Sequence, residues 1–213
     1  NLWDSKTSEL KCIMMGEIFD ERTGFSSIMA FRTGATTGVG IKHLARKDAK
    51  VIQVDINPDR IGLTGSSQGG GLAIAVAGLR GKDVRAASAG APYLCGFMDA
   101  IRLTRTYPYQ EIGDYLRTFP DSAPAVRATL GYFDGICFGP RISCPIIVNL
   151  GLRDNICPPE TGYSLFDAIG SPDKKLYPYD GCGHDAGRAD HDSVVCAFFA
   201  KHLKGEEGES DVA

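Results

Sequence analysis

From Arg60 onward, short apolar runs alternate with longer amphipathic ones. "RIGLTG" has the length and continuity of a strand buried on both faces, and "QGGGLAIAVAGLRG" after it predicts a helix closed by Gly81. "VRAASAG" predicts a second strand, and "CPIIVNLG", with its β-branched centre, a third. "PPETGYSLFDAIG" carries proline in a first helical turn and Gly170 at the far end, the usual asymmetry of a helix. "KKLYPYD" predicts a fourth strand. "DSVVCAFFAKHLKG" predicts a last helix with an apolar stripe through Val194, Val195, Phe198, Phe199 and Leu203. Strands and helices in strict alternation predict an α/β protein: a mostly parallel sheet with helices on both faces.

Between the second and third strands, residues 92–142 read as a helical excursion rich in aromatics. So long a connection between sheet strands usually covers a site or an interface. The first thirty residues show no clear period, and a short helix over residues 41–49 is expected to lead into the loop "DINPDR". The tail "GEEGESDVA" has no apolar face and is expected to be disordered. No internal repeat is visible. The expected organisation is one domain over residues 1–204, with residues 1–50 poorly placed, and an acidic tail over residues 205–213. A chain of 213 residues is long enough for one sizeable core.

Composition narrows the function. With 43% hydrophobic residues, 23% charged residues and a net charge of −3, the chain lacks the clustered Lys and Arg of a nucleic-acid footprint. No apolar run reaches the length of a membrane span, and "NLWDSKTSELK" lacks the basic-then-apolar form of a signal peptide. No nucleic-acid or membrane partner is therefore expected. The seven cysteines (Cys12, Cys95, Cys137, Cys144, Cys157, Cys182 and Cys196) are odd in number and scattered. They read as reduced thiols that act as small apolar residues, which points to the cytoplasm. The chain begins without Met, as a fragment would.

The candidate chemistry starts at "GLTGSSQGGG". Gly65, Ser66, Ser67, Gln68 and Gly69 fit the G-x-S-x-G elbow, with a strand before and a helix after as that motif demands. Ser67 at the apex is the candidate nucleophile, Ser66 sits off the apex, and the Gln68 N–H at the helix start is a candidate oxyanion donor. The motif requires an acid after a later strand and then a histidine after the last. "GLRDNICPP" supplies Asp154 and "LYPYDGCGH" supplies His184, each at the carboxyl edge of the sheet, where ligands bind in open α/β folds. Asp180 and Asp185 flank His184 and are rival acids. Ser67 would attack an acyl carbon, His184 would relay its proton, and Asp154 would hold the imidazole.

Rival chemistry is thinner. His43 and His202 have charged neighbours and read as solvated, while His191 falls at the start of the last helix. The spacing of Cys182, His184 and His191 matches no standard zinc pattern, so no metal is expected. Residues 33–40, with Thr33, Gly34, Gly38 and Gly40, resemble the glycine turn of short-chain dehydrogenases, and Asp55 lies where a ribose-binding acid would. That NAD(P)-binding oxidoreductase reading lacks a Tyr-x-x-x-Lys pair anywhere in the chain and a good preceding strand. A third reading is a non-catalytic, truncated hydrolase homologue.

On the stretches "DRIGLTGSSQGGGLAIAVAGL", "APYLCGFMDAI", "YPYQEIGDYL", "YFDG", "GLRDNICPP" and "LYPYDGCGH", the chain from Asp55 to Leu203 resembles the acetyl xylan esterase and cephalosporin C deacetylase family, carbohydrate esterase family seven. The resemblance implies an α/β-hydrolase fold and a cofactor-free serine esterase. Its substrates would be small acetyl esters, including acetylated xylo-oligosaccharides and cephalosporin C. It also implies a cytosolic homo-oligomer, a hexamer whose active sites face an internal cavity. It assigns Ser67, Asp154 and His184 as the triad and the Gln68 N–H as one oxyanion donor, with Pro92 and Tyr93 near a small acyl pocket. The family is longer at its N-terminus, where an Arg-Gly-Gln motif and a tyrosine N–H complete the oxyanion hole, and neither has a match here. The family's His-Glu pair is His184-Asp185.

Overall fold

The computed structural model describes residues 60–203 continuously, and upstream of them the backbone of residues 13–14, 16–20, 25–29, 38–40 and 53–55. Those upstream stretches are β1 (Ile13–Met14), β2 (Gly16–Asp20), β3 (Phe25–Met29), β4 (Gly38–Gly40) and β5 (Gln53–Asp55). The rest alternates as the sequence predicts: β6 (Gly62–Ser66), α1 (Gln68–Leu79), β7 (Ala86–Gly90), β8 (Ile146–Gly151), α6 (Pro159–Ala168), β9 (Lys174–Tyr179) and α7 (Arg188–Leu203). Between β7 and β8 lie α2 (Phe97–Leu103), α3 (Tyr109–Thr118), α4 (Ala123–Gly131) and α5 (Gly135–Phe138), which make up the predicted helical excursion.

The main sheet has the order β1-β6-β7-β8-β9, and every neighbouring pair is parallel. Leu63 lies beside Ala87, Ala87 beside Ile146 and Ile146 beside Lys174. Because side chains alternate across a strand, this register sorts the core into two layers. Leu63, Ala87, Ala89, Ile146, Val148 and Leu150 face Ala73, Ile74 and Ala77 of α1 and Leu165 of α6. Ala86 and Ile147 face the opposite way, onto Val195, Phe199 and Leu203 of α7. The predicted stripe of α7 is thus the cover of the second face. Each large side chain buried this way is worth about 1.5–3 kcal/mol.

Two helix boundaries shift from those the sequence predicts. α7 begins at Arg188, ahead of the predicted start, because Ala186 and Gly187 turn the chain through left-handed φ of 48° and 72°, and the Asp190 and His191 N–H groups then bond Gly187 O. The first turn is acidic, which the helix dipole favours and an apolar pattern does not register. α1 closes one residue before Arg80 rather than at Gly81, with the Arg80 N–H on Val76 O.

Upstream, β2 and β3 pair as an antiparallel hairpin where the sequence shows no period. Gly38 and Gly40 of the proposed dinucleotide turn lie in β4, antiparallel to β5, with Gly38 beside Asp55. A phosphate-binding glycine turn opens instead onto a helix in a parallel crossover, so this pairing corrects the oxidoreductase reading. Residues 33–37, the helix expected over 41–49, His43, the rest of the poorly placed residues 1–50 and the tail 205–213 lie outside the described residues.

The excursion is tied down at its root. The Asp134 carboxylate accepts from the N–H groups of Gly96 (2.9 Å), Phe97 (3.1 Å) and Ile136 (3.0 Å), linking α5 to α2. Tyr109 is fully buried and donates its hydroxyl to Cys95 O at 3.0 Å. Phe97, Ala100 and Tyr109 pack with Cys157, and the Thr104 hydroxyl donates to Asn155 O. The excursion therefore lies against the loop that follows β8, in keeping with its expected role as a cover.

His202 corrects the reading as a solvated side chain. It sits one helical turn after Phe198, with ring centroids 4.7 Å apart, 3.9 Å from Asp173 and with its side chain 15% exposed. His191 is buried, its Nδ1 2.9 Å from the Tyr179 hydroxyl and its ring edge-on to Tyr177 and Tyr179. Burial pushes its pKa below the ordinary value, with Asp192 opposing. A depressed folded pKa means that protonation favours unfolding. This contribution to stability is thus complete above the unfolded value of about 6.5 and is lost as pH falls below it. Thermal melts between about pH 7 and pH 5 should show a steeper loss for wild type than for His191→Gln, and equal slopes would acquit His191.

Candidate active site

Ser67 sits between the end of β6 and the start of α1 at φ 55° and ψ −122°. For a residue with a side chain such a backbone costs of order 1–3 kcal/mol, so the surroundings must hold it. The Ser67 N–H donates to Gly90 O at 2.9 Å, and Ser67 O accepts from the Gly71 N–H (3.0 Å) and the Tyr93 N–H (2.9 Å). A β-carbon at Gly71 would lie 2.0 Å from Tyr93 O, and one at Gly70 would lie 2.7 Å from Gly90 O and 3.2 Å from Pro92 Cα. The glycine run therefore exists so that the start of α1 can press on the loop after β7.

That loop contains Pro92, fully buried, and Tyr93, half-buried. Both back the elbow. The Tyr93 ring stands edge-on to Tyr109 at 4.7 Å, and burial, with Cys157 and Glu111 nearby, pushes its hydroxyl pKa up to about 12.

The Ser67 hydroxyl does not cap α1, although serine at that position commonly does. It lies 2.9 Å from His184 Nε2. His184 Nδ1 is in turn 2.8 Å from Asp154 Oδ2. Asp154 is buried, its side chain 1% exposed, and its Oδ1 accepts from the N–H groups of Ile156 (2.8 Å) and Cys157 (2.9 Å). A carboxylate only accepts, so Nδ1 must carry the ring proton, which leaves Nε2 free to accept from Ser67. The three predicted residues, from three separate strand ends, meet as a chain of hydrogen bonds. Ser66 is exposed and off this line. The rival acids are occupied elsewhere: Asp180 turns back to the Gly181 N–H, and Asp185 accepts from the N–H groups of Gly183 and Gly187.

Gln68 opens α1, where backbone N–H groups have no partner within the helix and the dipole favours an anion. The loop carrying His184 is clamped from β8. The Asn149 side chain donates to Ala186 O at 2.8 Å, and the N–H groups of Leu152 and Arg153 donate to Tyr179 O and Cys182 O. Gly151 abuts Gly183 so closely that a β-carbon would lie 1.9 Å from its carbonyl oxygen.

Two residues of the site escape the sequence reading. Asn149 looks like a polar interruption in an apolar strand, which is itself the available signal. Cys157 reads as a small apolar filler, but its thiol lies beside Ser67 and Asp154, and burial together with the Asp154 carboxylate pushes its pKa well up. Among the described residues, Asp154, Cys157 and His184 form a group whose donor atoms all lie within 4.8 Å of one another. Cys182 and His191 are not part of it. The cysteines among the described residues are free thiols, with Cys95, Cys144 and Cys157 buried. A cleft of about 580 Å³ bounded by residues 81–85 and 143–145 opens at the other edge of the sheet and shares no residue with this site. No helix among the described residues is long and apolar enough to cross a membrane.

Comparison with known proteins points to one family. The family model described as acetyl xylan esterase (AXE1) matches residues 42–203. The acetyl esterase Axe7A of Xylanibacter ruminicola is 34% identical over 115 residues, which are 53% of this chain and 24% of that protein. The acetyl xylan esterase from Paenibacillus sp. R4 superposes with a TM-score of 0.66 at 32% identity, covering 70% of this chain and 47% of that one. Acetyl xylan esterase 1 from Thermoanaerobacterium sp. JW/SL YS485 gives 0.65 at 31% identity, covering 70% and 48%. The chain thus spans about a quarter of the curated relative and about half of each solved structure. The sheet and its helices are those of an α/β-hydrolase. With the family match running unbroken from before β6 to the end of α7, the chain belongs to the acetyl xylan esterase family.

Proposed function

We propose that the protein is a serine esterase that removes acetyl groups from small carbohydrate esters such as acetylated xylo-oligosaccharides, and from cephalosporin-type acetyl esters. The observation that carries this reading is the unbroken line from Ser67 Oγ through His184 to Asp154, at 2.9 and 2.8 Å. His184 Nε2 takes the Ser67 proton as Oγ attacks the acetyl carbon, and the Gln68 N–H donates to the oxyanion. His184 then returns the proton to the leaving sugar alcohol, which leaves an acetyl-enzyme that water hydrolyses by the same relay. Asp154 keeps the imidazole in the required tautomer and stabilises its charged form. No cofactor enters any step.

The acetyl preference draws support from the names of the relatives and from the position of Pro92 and Tyr93, which crowd the elbow from behind and would lie near a small acyl pocket. A homo-oligomer, hexameric as in the family, is part of the proposal. Phe119, Tyr132 and Phe133 of the excursion, exposed by 54%, 80% and 63%, supply apolar surface for it. A cytoplasmic location completes the reading.

Hydrolysis of p-nitrophenyl acetate, butyrate and octanoate tests the acyl limit. A kcat/KM falling by about tenfold or more from acetate to octanoate is expected, because a filled pocket rejects extra methylenes. A rate that is flat or rising with chain length would sink the acetyl-esterase assignment while leaving a general esterase.

A further inference from the structure

We propose that Asp154, Cys157 and His184 form an inhibitory site for a soft divalent cation, with Zn²⁺ as the fitting ion. The inference rests on the esterase reading only for its consequence, not for the binding itself. Its basis is the thiol that catalysis does not use. A hydrolase relay needs the carboxylate and the imidazole, and these two alone offer a metal too few donors; Cys157 adds the third.

The donor set and its spacing fit. One carboxylate oxygen, one thiol sulfur and one ring nitrogen lie within 4.8 Å of one another. In a tetrahedral zinc site, bonds of about 2.0–2.3 Å put the ligand atoms roughly 3.3–3.7 Å apart. An ion entering there would part His184 Nδ1 from Asp154 Oδ2, now 2.8 Å apart, by about half an ångström and draw the thiol in to a like spacing. Asp154 and Cys157 form the buried back wall at 5% and 4% exposure, while the His184 side chain, 29% exposed, faces the route by which an ion would arrive. A water can take the fourth position.

The chemistry balances without a further reactant. Cys157 S–H loses its proton to solvent as the S–Zn bond forms, and the thiolate and carboxylate together match the two positive charges. A thiolate with an imidazole selects Zn²⁺ over Mg²⁺ or Ca²⁺, which prefer oxygen ligands. An imidazole bound to the ion through Nδ1 carries its ring proton on Nε2, so it can neither donate to Asp154 nor accept the Ser67 proton, and occupancy and turnover exclude one another.

The test pairs inhibition with direct binding. Initial rates on p-nitrophenyl acetate would be measured against Zn²⁺ and Mg²⁺ for wild type, Cys157→Ala and Cys157→Ser, each relative to its own metal-free rate. Zn²⁺ should inhibit wild type reversibly on addition of a chelator, with the half-inhibiting concentration raised by about tenfold or more in both variants and no effect of Mg²⁺. Titration of the folded wild-type protein with Co²⁺ should add a thiolate-to-cobalt charge-transfer band in the near ultraviolet that saturates at one ion per chain and is lost in the variants. Equal inhibition of all three proteins, or no such band in wild type, overturns the site. An active enzyme without the band refutes the metal site alone, and a band in a protein without activity refutes the esterase reading alone. The wild-type titration needs no variant, so it decides the matter even if both substitutions unfold the protein.

Discussion

Ser67→Ala should lower kcat on p-nitrophenyl acetate by about 10⁴-fold or more, because it removes the only atom that can carry the acyl group. The fold should survive the change. The Ser67 side chain makes its hydrogen bond to His184 and does not cap α1, so alanine leaves the elbow's backbone bonds to Gly71, Gly90 and Tyr93 intact. Ser66→Ala is the control. It changes the exposed neighbour and should stay within a few-fold of wild type, which would also dispose of Ser66 as the nucleophile. Wild type no faster than Ser67→Ala, with both proteins folded by circular dichroism, would identify the chain as a hydrolase scaffold without catalysis. A second oxyanion donor bears on the same comparison. One such donor is worth about 10²–10³ in kcat, so a chain with the Gln68 N–H alone should be slow yet still clearly separated from Ser67→Ala.

The sequence was legible where local chemistry and tertiary need agree. "GSSQGGG" announces an elbow because the glycines that let α1 approach the 90–93 loop are the same ones the motif requires; a β-carbon at Gly71 would meet a carbonyl oxygen at 2.0 Å. Asp154 and His184 could be placed because each follows an apolar run ending at a sheet edge, and the structure joins them through His184 Nδ1. Cys157 was not legible as a site residue. A buried thiol looks the same in sequence whether it packs against leucine or in a site, and only the fold brings it beside Ser67. Likewise His202 has charged neighbours in sequence, yet the helical repeat lays it on Phe198. The hairpin of β2 and β3 gave no periodic signal because five-residue strands with polar insertions offer too few turns of any pattern.

Asp154→Asn should lower kcat/KM by about 10⁴-fold with little loss of fold, and the reason lies in which end of the new amide can face histidine. Asp154 Oδ1 accepts from the N–H groups of Ile156 and Cys157 at 2.8 and 2.9 Å. Asparagine must keep its oxygen there, since its NH₂ would oppose two donors in a buried site. Its NH₂ is thereby turned on His184 Nδ1, which can then only accept, and the ring proton moves to Nε2. A protonated Nε2 donates to Ser67 Oγ and cannot take its proton, so the relay is held in the wrong tautomer although every heavy atom stays near its place. The outcome separates this acid from its rivals. Among the described residues Asp180 bonds only its neighbour's N–H, so Asp180→Asn should stay within a few-fold of wild type. Nuclear magnetic resonance of the His184 ring nitrogens would report the exchange of tautomers directly. Near-normal turnover in Asp154→Asn, or the large loss appearing in Asp180→Asn instead, would mean that the carboxylate seen on Nδ1 does not serve the reaction.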